Sequence, residues 1–65
     1  MKSHPDSAKA GEPSFSVIGI GEDGVECEYG GCLREEAAWR VLRETRSYGH
    51  VAWLEVDGKP VTDTL

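Results

Sequence analysis

The sequence predicts an α+β domain of order ββαββ, in which a single helix packs on one face of an antiparallel sheet. Two observations carry this prediction. Two pairs of short β-branched or alternating segments are each interrupted by an Asp-Gly turn, which is typical of hairpins. Between the two pairs lies one segment whose apolar residues recur at helical spacing. With 65 residues the chain forms one domain at most and has little material for a deep substrate pocket.

Residues 1–13 are expected to form a flexible N-terminal tail, followed by a single mini-domain over residues 14–65. The first stretch, MKSHPDSAKAGEP, contains Pro, Gly, Ser and Lys and no large side chain to bury. It also lacks the apolar stretch of a secretory signal, and no run approaches the roughly 20 apolar residues that span a bilayer. We therefore expect a cytoplasmic protein whose two cysteines are free thiols.

The first hairpin is predicted from FSVIGI (15–20), the turn GEDG (21–24) and the alternating strand VECEY (25–29). The glycines at 30–31 are expected to end the second strand. A turn of even length keeps paired residues on the same face of the sheet. On that basis the face toward the helix is predicted to carry Ile18, Ile20, Val25, Cys27 and Tyr29.

The helix is predicted within CLREEAAWRVLRETRSYG (32–49), with acidic residues in its first turn and arginines in its last, as the helix dipole favours. Cys32 precedes Glu35 by three residues, the spacing of a capping box, and Gly49 is predicted to end the helix. Trp39 falls off the apolar stripe. The stripe is formed by Ala37, Ala38, Val41, Leu42 and Thr45.

The second hairpin is predicted from HVAWLEV (50–56), the Asp-Gly turn and KPVT (59–62), with Pro60 restricting the last strand to an edge. Its helix-facing side is predicted to carry Ala52, Leu54, Val56 and Val61. The outer side of the whole sheet is then predicted to carry Phe15, Val17, Glu26, Glu28, Val51, Trp53 and Glu55. No second helix is available to cover that side. The alternatives are that Trp53 packs inward in a sheet shifted by one residue, or that the N-terminal tail covers it.

Neither a metal site nor a cofactor site is predicted. Cys27 and Cys32 have the spacing C-x4-C, and the only histidines are His4 and His50. A structural zinc needs four ligands, commonly from two closely spaced pairs, and the histidines do not form a second pair. The simpler interpretation is that Cys27 is a small core residue and that Cys32 lies at the helix start.

Catalysis is not predicted either. Glu26 and Glu28 project from the same face of a strand, about 7 Å apart by strand rise. Paired carboxylates divide acid and base roles when burial separates their pKa values, but these two are expected on an open, solvated face. No serine or histidine has a partner in a recognisable catalytic motif. We therefore expect a binding protein rather than an enzyme.

The charge distribution points to a basic protein partner. The chain has 12 acidic and 7 basic residues, a net charge of -5, and none of the basic residues lies between Glu12 and Glu28. Such a surface repels nucleic acid and anionic membranes and attracts basic protein surfaces. Exposed tryptophans are frequent binding anchors. The candidate partner-binding residues are Glu22, Asp23, Glu26, Glu28, Glu55, Trp53 and Trp39.

Through the acidic hairpin GEDGVECEY, the helix EEAAWRVLRETR and the hairpin VAWLEVDGKPV, the chain resembles small phage-encoded anti-CRISPR proteins that act on type I surveillance complexes. The resemblance spans residues 15–63 and lies in size, acidity and layout. It implies a monomeric inhibitor that acts in a bacterial cytoplasm and blocks target DNA binding. Its carboxylates would take the place of DNA phosphates in a basic channel, a role that falls to Glu22, Asp23, Glu26, Glu28 and Glu55.

The helix segment carries four arginines, which departs from the pattern of strong DNA mimics. This composition is compatible with a mixed polar and aromatic interface. The alternative is a small cytoplasmic adaptor or antitoxin-like regulator that binds a protein through the Trp53 face. The salt dependence of binding distinguishes the DNA mimic from the adaptor, because binding by a mimic weakens steeply as ionic strength rises.

Overall fold

One helix lies against one face of a four-stranded antiparallel sheet, which confirms the predicted α+β class. The computed structural model describes residues 5–65. In chain order the elements are β1 (Phe15–Ile20), β2 (Glu26–Leu33), α1 (Glu35–Ser47), β3 (Ala52–Val56), β4 (Lys59–Pro60) and a short 3-10 turn (Thr62–Thr64).

The strands follow the spatial order β2-β1-β3-β4, and every neighbouring pair is antiparallel. The two hairpins therefore meet through their inner strands, β1 and β3. The β3–β4 turn has positive φ at both Asp57 and Gly58, the conformation that an Asp-Gly pair favours in a two-residue hairpin turn. Of the predicted last strand over 59–62, only Lys59 and Pro60 are strand, and they form an edge as expected for proline.

The predicted apolar stripe of the helix is confirmed. Ala37, Ala38, Leu42 and Thr45 are buried, and Val41 packs against the core from its edge. Gly49, with φ of 88°, follows the last turn as predicted. The cap predicted at Cys32 is wrong, because Cys32 belongs to β2 and the residue at the N-cap is Arg34.

On β3 the predicted inner residues are correct, since Ala52 and Leu54 are buried in the core. On β1 the prediction is wrong by one residue. Val17, which was expected on the outer side, is fully buried and pairs with Leu54. Phe15 likewise packs against the core instead of facing outward. Ile18 therefore lies on the other side of the sheet, as does Ile20.

The reason for this error is the length of the first turn. Ile20 pairs with Glu26, so the connection spans residues 21–25 instead of the predicted 21–24. The backbone N–H of Gly21 donates to the carbonyl oxygen of Val25 at 3.0 Å, and the Asp23 carboxylate accepts from the N–H of Val25 at 3.0 Å. Val25 thus belongs to the turn, and β1 presents the opposite set of side chains to the helix.

The expectation that residues 30–31 end the second strand is also wrong. β2 continues through them to Leu33, and its register with β1 shifts at two places. Such shifts are β-bulges, in which the strand carries an extra residue and bends. Cys32, just beyond the glycines, has a φ of 55°, which is unusual for a residue with a side chain.

Part of the segment expected to be a flexible tail lies along the outer edge of β2. The N–H of Ala8 donates to the carbonyl oxygen of Cys32, and the N–H of Arg34 donates to that of Asp6, both at 2.9 Å. Ser7 forms an isolated antiparallel bridge with Leu33. Residues 1–4, including His4, lie outside the described part of the chain. The N-terminal segment therefore continues the sheet past its edge at one end of β2.

Hydrogen bonds from side chains join the C-terminal 3-10 turn to β3 and to the helix. Thr64 is buried, and its hydroxyl accepts from the N–H of Leu54 and donates to the carbonyl oxygen of Val61, both at 2.8 Å. The guanidinium of Arg46 donates to the carbonyl oxygens of Ala52 and Thr64. One arginine thus joins the helix, β3 and the C-terminal turn.

Candidate protein-binding surface

The sheet face that points away from the helix has no other element packed on it among residues 5–65. We call it the open face and define it by the residues that the strand register places there. They are Ser16, Ile18, Ile20, Glu26, Glu28, Trp53, Glu55 and Pro60.

An apolar centre lies in the middle of the open face. Ile18 on β1 and Trp53 on β3 are direct cross-strand partners, and both are half-buried. The indole N–H of Trp53 donates to the carboxylate of Glu55 at 3.0 Å. Trp53 is therefore on the outer side, as predicted, and the alternative that it packs inward is wrong. Its neighbours shield part of the ring, and an isoleucine-tryptophan pair remains available for contact.

Three carboxylates border this centre. On β2, Glu26 pairs with Ile20 and Glu28 pairs with Ile18, and both glutamates are exposed. Glu55 follows Trp53 by two residues on β3 and pairs with Ser16 of β1. The two ion pairs of the described chain join Arg34 to Glu36 and Arg40 to Asp6, so neither neutralises the open face. The predicted acidic surface is thus formed by residues that share one face.

Glu22 and Asp23 extend this charge to the end of the first hairpin, where both are exposed. Asp23 also shapes the turn, through its bond to the Val25 backbone. The negative charge influences the inner side of the hairpin as well. The pKa of the Tyr29 phenol is raised above its ordinary value, chiefly by a hydrogen bond with Cys27, then by partial burial and by the charges of Cys27, Asp23 and Glu22.

Trp39 does not belong to the open face. It lies on α1, with 39% of its surface exposed, and borders grooves with Arg40 and Arg43. The helix covers the inner side of the sheet, so one flat partner surface cannot contact Trp39 and Trp53 together. The candidate residues therefore separate into an acidic, aromatic sheet face and a basic, aromatic helix surface.

The cysteines lie apart from the core. Cys27 and Cys32 are both free and exposed, so the expectation that Cys27 is a buried core residue is wrong. β2 is an edge strand, and Cys27 lies close to the end of the first hairpin, two residues after Val25 of the turn. Among residues 5–65, no group of three His, Cys, Asp or Glu side chains is placed to hold a metal ion.

Sequence reasoning missed Ile18 and Ile20 as members of this surface. The signal that could have placed them was Asp23, whose side chain can cap the N–H two residues later and so draw Val25 into the turn. It also missed the proximity of Tyr29 to His50, which depends on how the end of the helix meets the sheet.

No protein family, curated protein or solved structure matches this chain. Within residues 5–65 the single helix is too short and too polar to cross a membrane.

Proposed function

We propose that this chain is a monomeric, cytoplasmic binding protein that occupies a basic, nucleic-acid-binding surface of a protein partner and thereby blocks access of the nucleic acid. The observation that carries this proposal is the open face, where an apolar Ile18–Trp53 centre is bordered by carboxylates that neither ion pair of residues 5–65 neutralises. Inhibition of DNA binding by a type I CRISPR surveillance complex, the role that the resemblance implies, is the specific form of this proposal.

The two parts of the open face have different physical roles in such a contact. Carboxylates on an exposed strand raise the rate of encounter with a basic surface and disfavour free nucleic acid. Once the surfaces meet, burial of Trp53 and Ile18 excludes water from the neighbouring ion pairs, which strengthens them. An apolar anchor surrounded by charge supports a binding role rather than catalysis.

The second candidate is an adaptor or antitoxin-like regulator that uses the same face. The central position of the Ile18–Trp53 pair favours it, because that pair could bind an apolar partner surface by itself. In that case the carboxylates would serve only to keep the uncovered sheet solvated. The two candidates differ in whether Glu26 and Glu28 contribute to binding.

The test replaces both carboxylates with amides of the same shape, Glu26→Gln with Glu28→Gln. Both side chains are exposed, so we expect normal folding. Loss of a well-desolvated charge pair weakens binding by about 2–5 kcal/mol. We expect the variant to lose its ability to displace fluorescent target DNA from a purified type I surveillance complex, and its salt dependence to become flatter.

A matched control carries the same change in net charge elsewhere. Glu35→Gln with Asp63→Asn alters two exposed acids on α1 and the C-terminal turn, away from the open face, and should inhibit like the parent. If the Glu26/Glu28 variant also inhibits like the parent, the carboxylates are only solvated. If the parent never displaces DNA, the surveillance complex is not its target.

A further inference from the structure

A groove of about 390 Å³ lies beside the C-terminal half of α1, on the side of the sheet opposite the open face. It is wide enough for a small organic group. We call it the aromatic groove, because three of its lining residues carry aromatic rings. Its lining consists of Tyr29, Val41, Glu44, Thr45, Tyr48 and His50.

One wall of the groove is held in place by packing. The rings of Tyr29 and His50 lie with their centroids 5.6 Å apart and their planes at 31°, and Tyr29 also packs against the hydrophobic core. Thr45 is buried, and its hydroxyl donates to the carbonyl oxygen of Val41 at 2.8 Å, which directs that polar group back into the helix. The interior of the groove is therefore largely apolar and aromatic.

Another wall is formed by Tyr48, the first residue after α1. Its side chain is 74% exposed, and it lines the groove together with Glu44. Ring faces carry the negative part of an aromatic quadrupole, so rings grouped around a cavity attract a cation.

The charges around the groove have one sign. Glu44 is the only carboxylate that lines it, none of its lining residues among 5–65 is Lys or Arg, and neither ion pair of the described chain uses Glu44. The groove also adjoins the C-terminal end of α1, where the helix dipole is negative.

We propose that the aromatic groove binds an alkylated ammonium group, held by the rings of Tyr29, Tyr48 and His50 and by the carboxylate of Glu44. A bare metal ion is a poor fit, because one carboxylate and an apolar wall offer it few ligands. A neutral alkyl group would leave Glu44 unused. Methyl groups on a cation would contact Val41 and the rings, while its charge would face the carboxylate.

The test titrates the full-length protein with choline and follows amide and aromatic ring signals by NMR. Its neutral carbon isostere, 3,3-dimethylbutanol, has the same shape without the charge. We expect choline to shift the signals of Tyr29, Glu44, Tyr48 and His50 in a saturable manner, and the isostere to do so much more weakly. No shift at these residues, or equal shifts with both compounds, would overturn the proposal.

Two substitutions locate the effect. Tyr48→Ala and Glu44→Gln both alter exposed side chains, so we expect normal folding, and each should weaken choline binding about two- to fivefold. Trp39→Ala and Glu35→Gln remove one aromatic ring and one carboxylate from α1 outside the groove and should leave binding unchanged. Equal affinities in all four variants would contradict the assignment.

A second titration with a peptide that carries trimethyl-lysine separates the two sources of this chemistry. Tighter binding of the peptide than of choline identifies a modified protein side chain as the ligand. Equal or weaker binding identifies a small molecule. Neither titration depends on the open face, so the proposed function and the aromatic groove can fail independently.

Discussion

Leu42 is the residue on which the packing of the helix depends most. It lies at the middle of α1 and is 2% exposed, and only Val17 and Leu54 are comparably large and buried among the apolar residues of the core. Alanines supply most of the remaining helix contact. A core built from so few large side chains has little with which to compensate for the loss of one.

Leu42→Ala should lower the free energy of unfolding by about 2–5 kcal/mol, because it removes buried methyl groups and leaves a cavity. That is a large part of the stability of a small domain. Urea unfolding followed by far-UV circular dichroism measures the change. Val25→Ala, at a side chain that is 60% exposed, is the control and should unfold near the wild-type midpoint. A similar midpoint for both variants would mean that α1 does not pack through Leu42.

The Tyr29 phenol gives a prediction about alkaline pH. Its pKa is raised from the ordinary 10.0, first by the hydrogen bond with Cys27, so the folded state holds this proton more tightly than the unfolded chain does. The stabilisation is fully present below the unfolded pKa and is lost as pH rises through the folded one. Stability should therefore fall above about pH 10, and Tyr29→Phe should reduce that fall.

Thermal melts of both proteins across this pH range test the idea. Tyr48→Phe is the matched control, since it removes the other phenol of the chain and leaves Tyr29 in place. Its alkaline decline should match that of the parent. An unchanged decline in Tyr29→Phe would show that other groups account for the loss.

At the scale of elements, the helix and β3 were the most predictable parts. The spacing of Ala38, Leu42 and Thr45 fits a helix strongly, and Leu54 alternates with polar or aromatic neighbours on its strand. The face of β1 was not predictable in the same way, because apolar residues occupy both of its sides. Pattern alone cannot choose between Val17 and Ile18.

The surroundings of Gly19 show which contacts determine the face that β1 turns toward the helix. A Cβ atom there would lie 2.6 Å from the carbonyl oxygen of Val51 and 2.7 Å from the ring of Tyr29. The glycine thus leaves the space that the Tyr29 ring occupies on the inner side of the sheet. This three-way fit between β1, β2 and the segment before β3 is a tertiary contact that the local sequence pattern does not contain.

Arg46 gives the prediction for elements. Its guanidinium satisfies the carbonyl oxygens of Ala52 and Thr64, so Arg46→Met leaves two acceptors short of a donor. We expect a loss of about 1–3 kcal/mol in the free energy of unfolding. Arg43→Met, on the same helix but with no such bond in residues 5–65, should cost far less. Equal urea midpoints for the two variants would rule out this role of Arg46.

At the scale of the whole molecule, the acidic character of the site could be predicted but not its full composition. Glu26, Glu28 and Glu55 alternate with inward residues, so their shared face follows from strand period. The apolar part of that face depends on the register of β1. The separation of Trp39 from Trp53 follows from the placement of α1 across the sheet, which the pattern on α1 alone did not reveal.

The whole protein should fold without a metal. Both cysteines are free and exposed, and residues 5–65 hold no cluster fit for a metal ion. Thiol titration of the unfolded protein should count two groups per chain, and EDTA should leave the melting temperature unchanged. Loss of structure on addition of EDTA would show that a bound metal contributes to folding.

The position of Glu26 and Glu28 on an edge strand also bears on behaviour at high protein concentration. The N-terminal segment pairs with β2 only around Leu33, so the outer backbone edge near the glutamates is unpaired among the described residues. Such an edge is a template for fibril growth. Two copies that met edge to edge would bring like charges together, which is destabilising. We therefore expect the same carboxylates to oppose aggregation through this edge at high protein concentration.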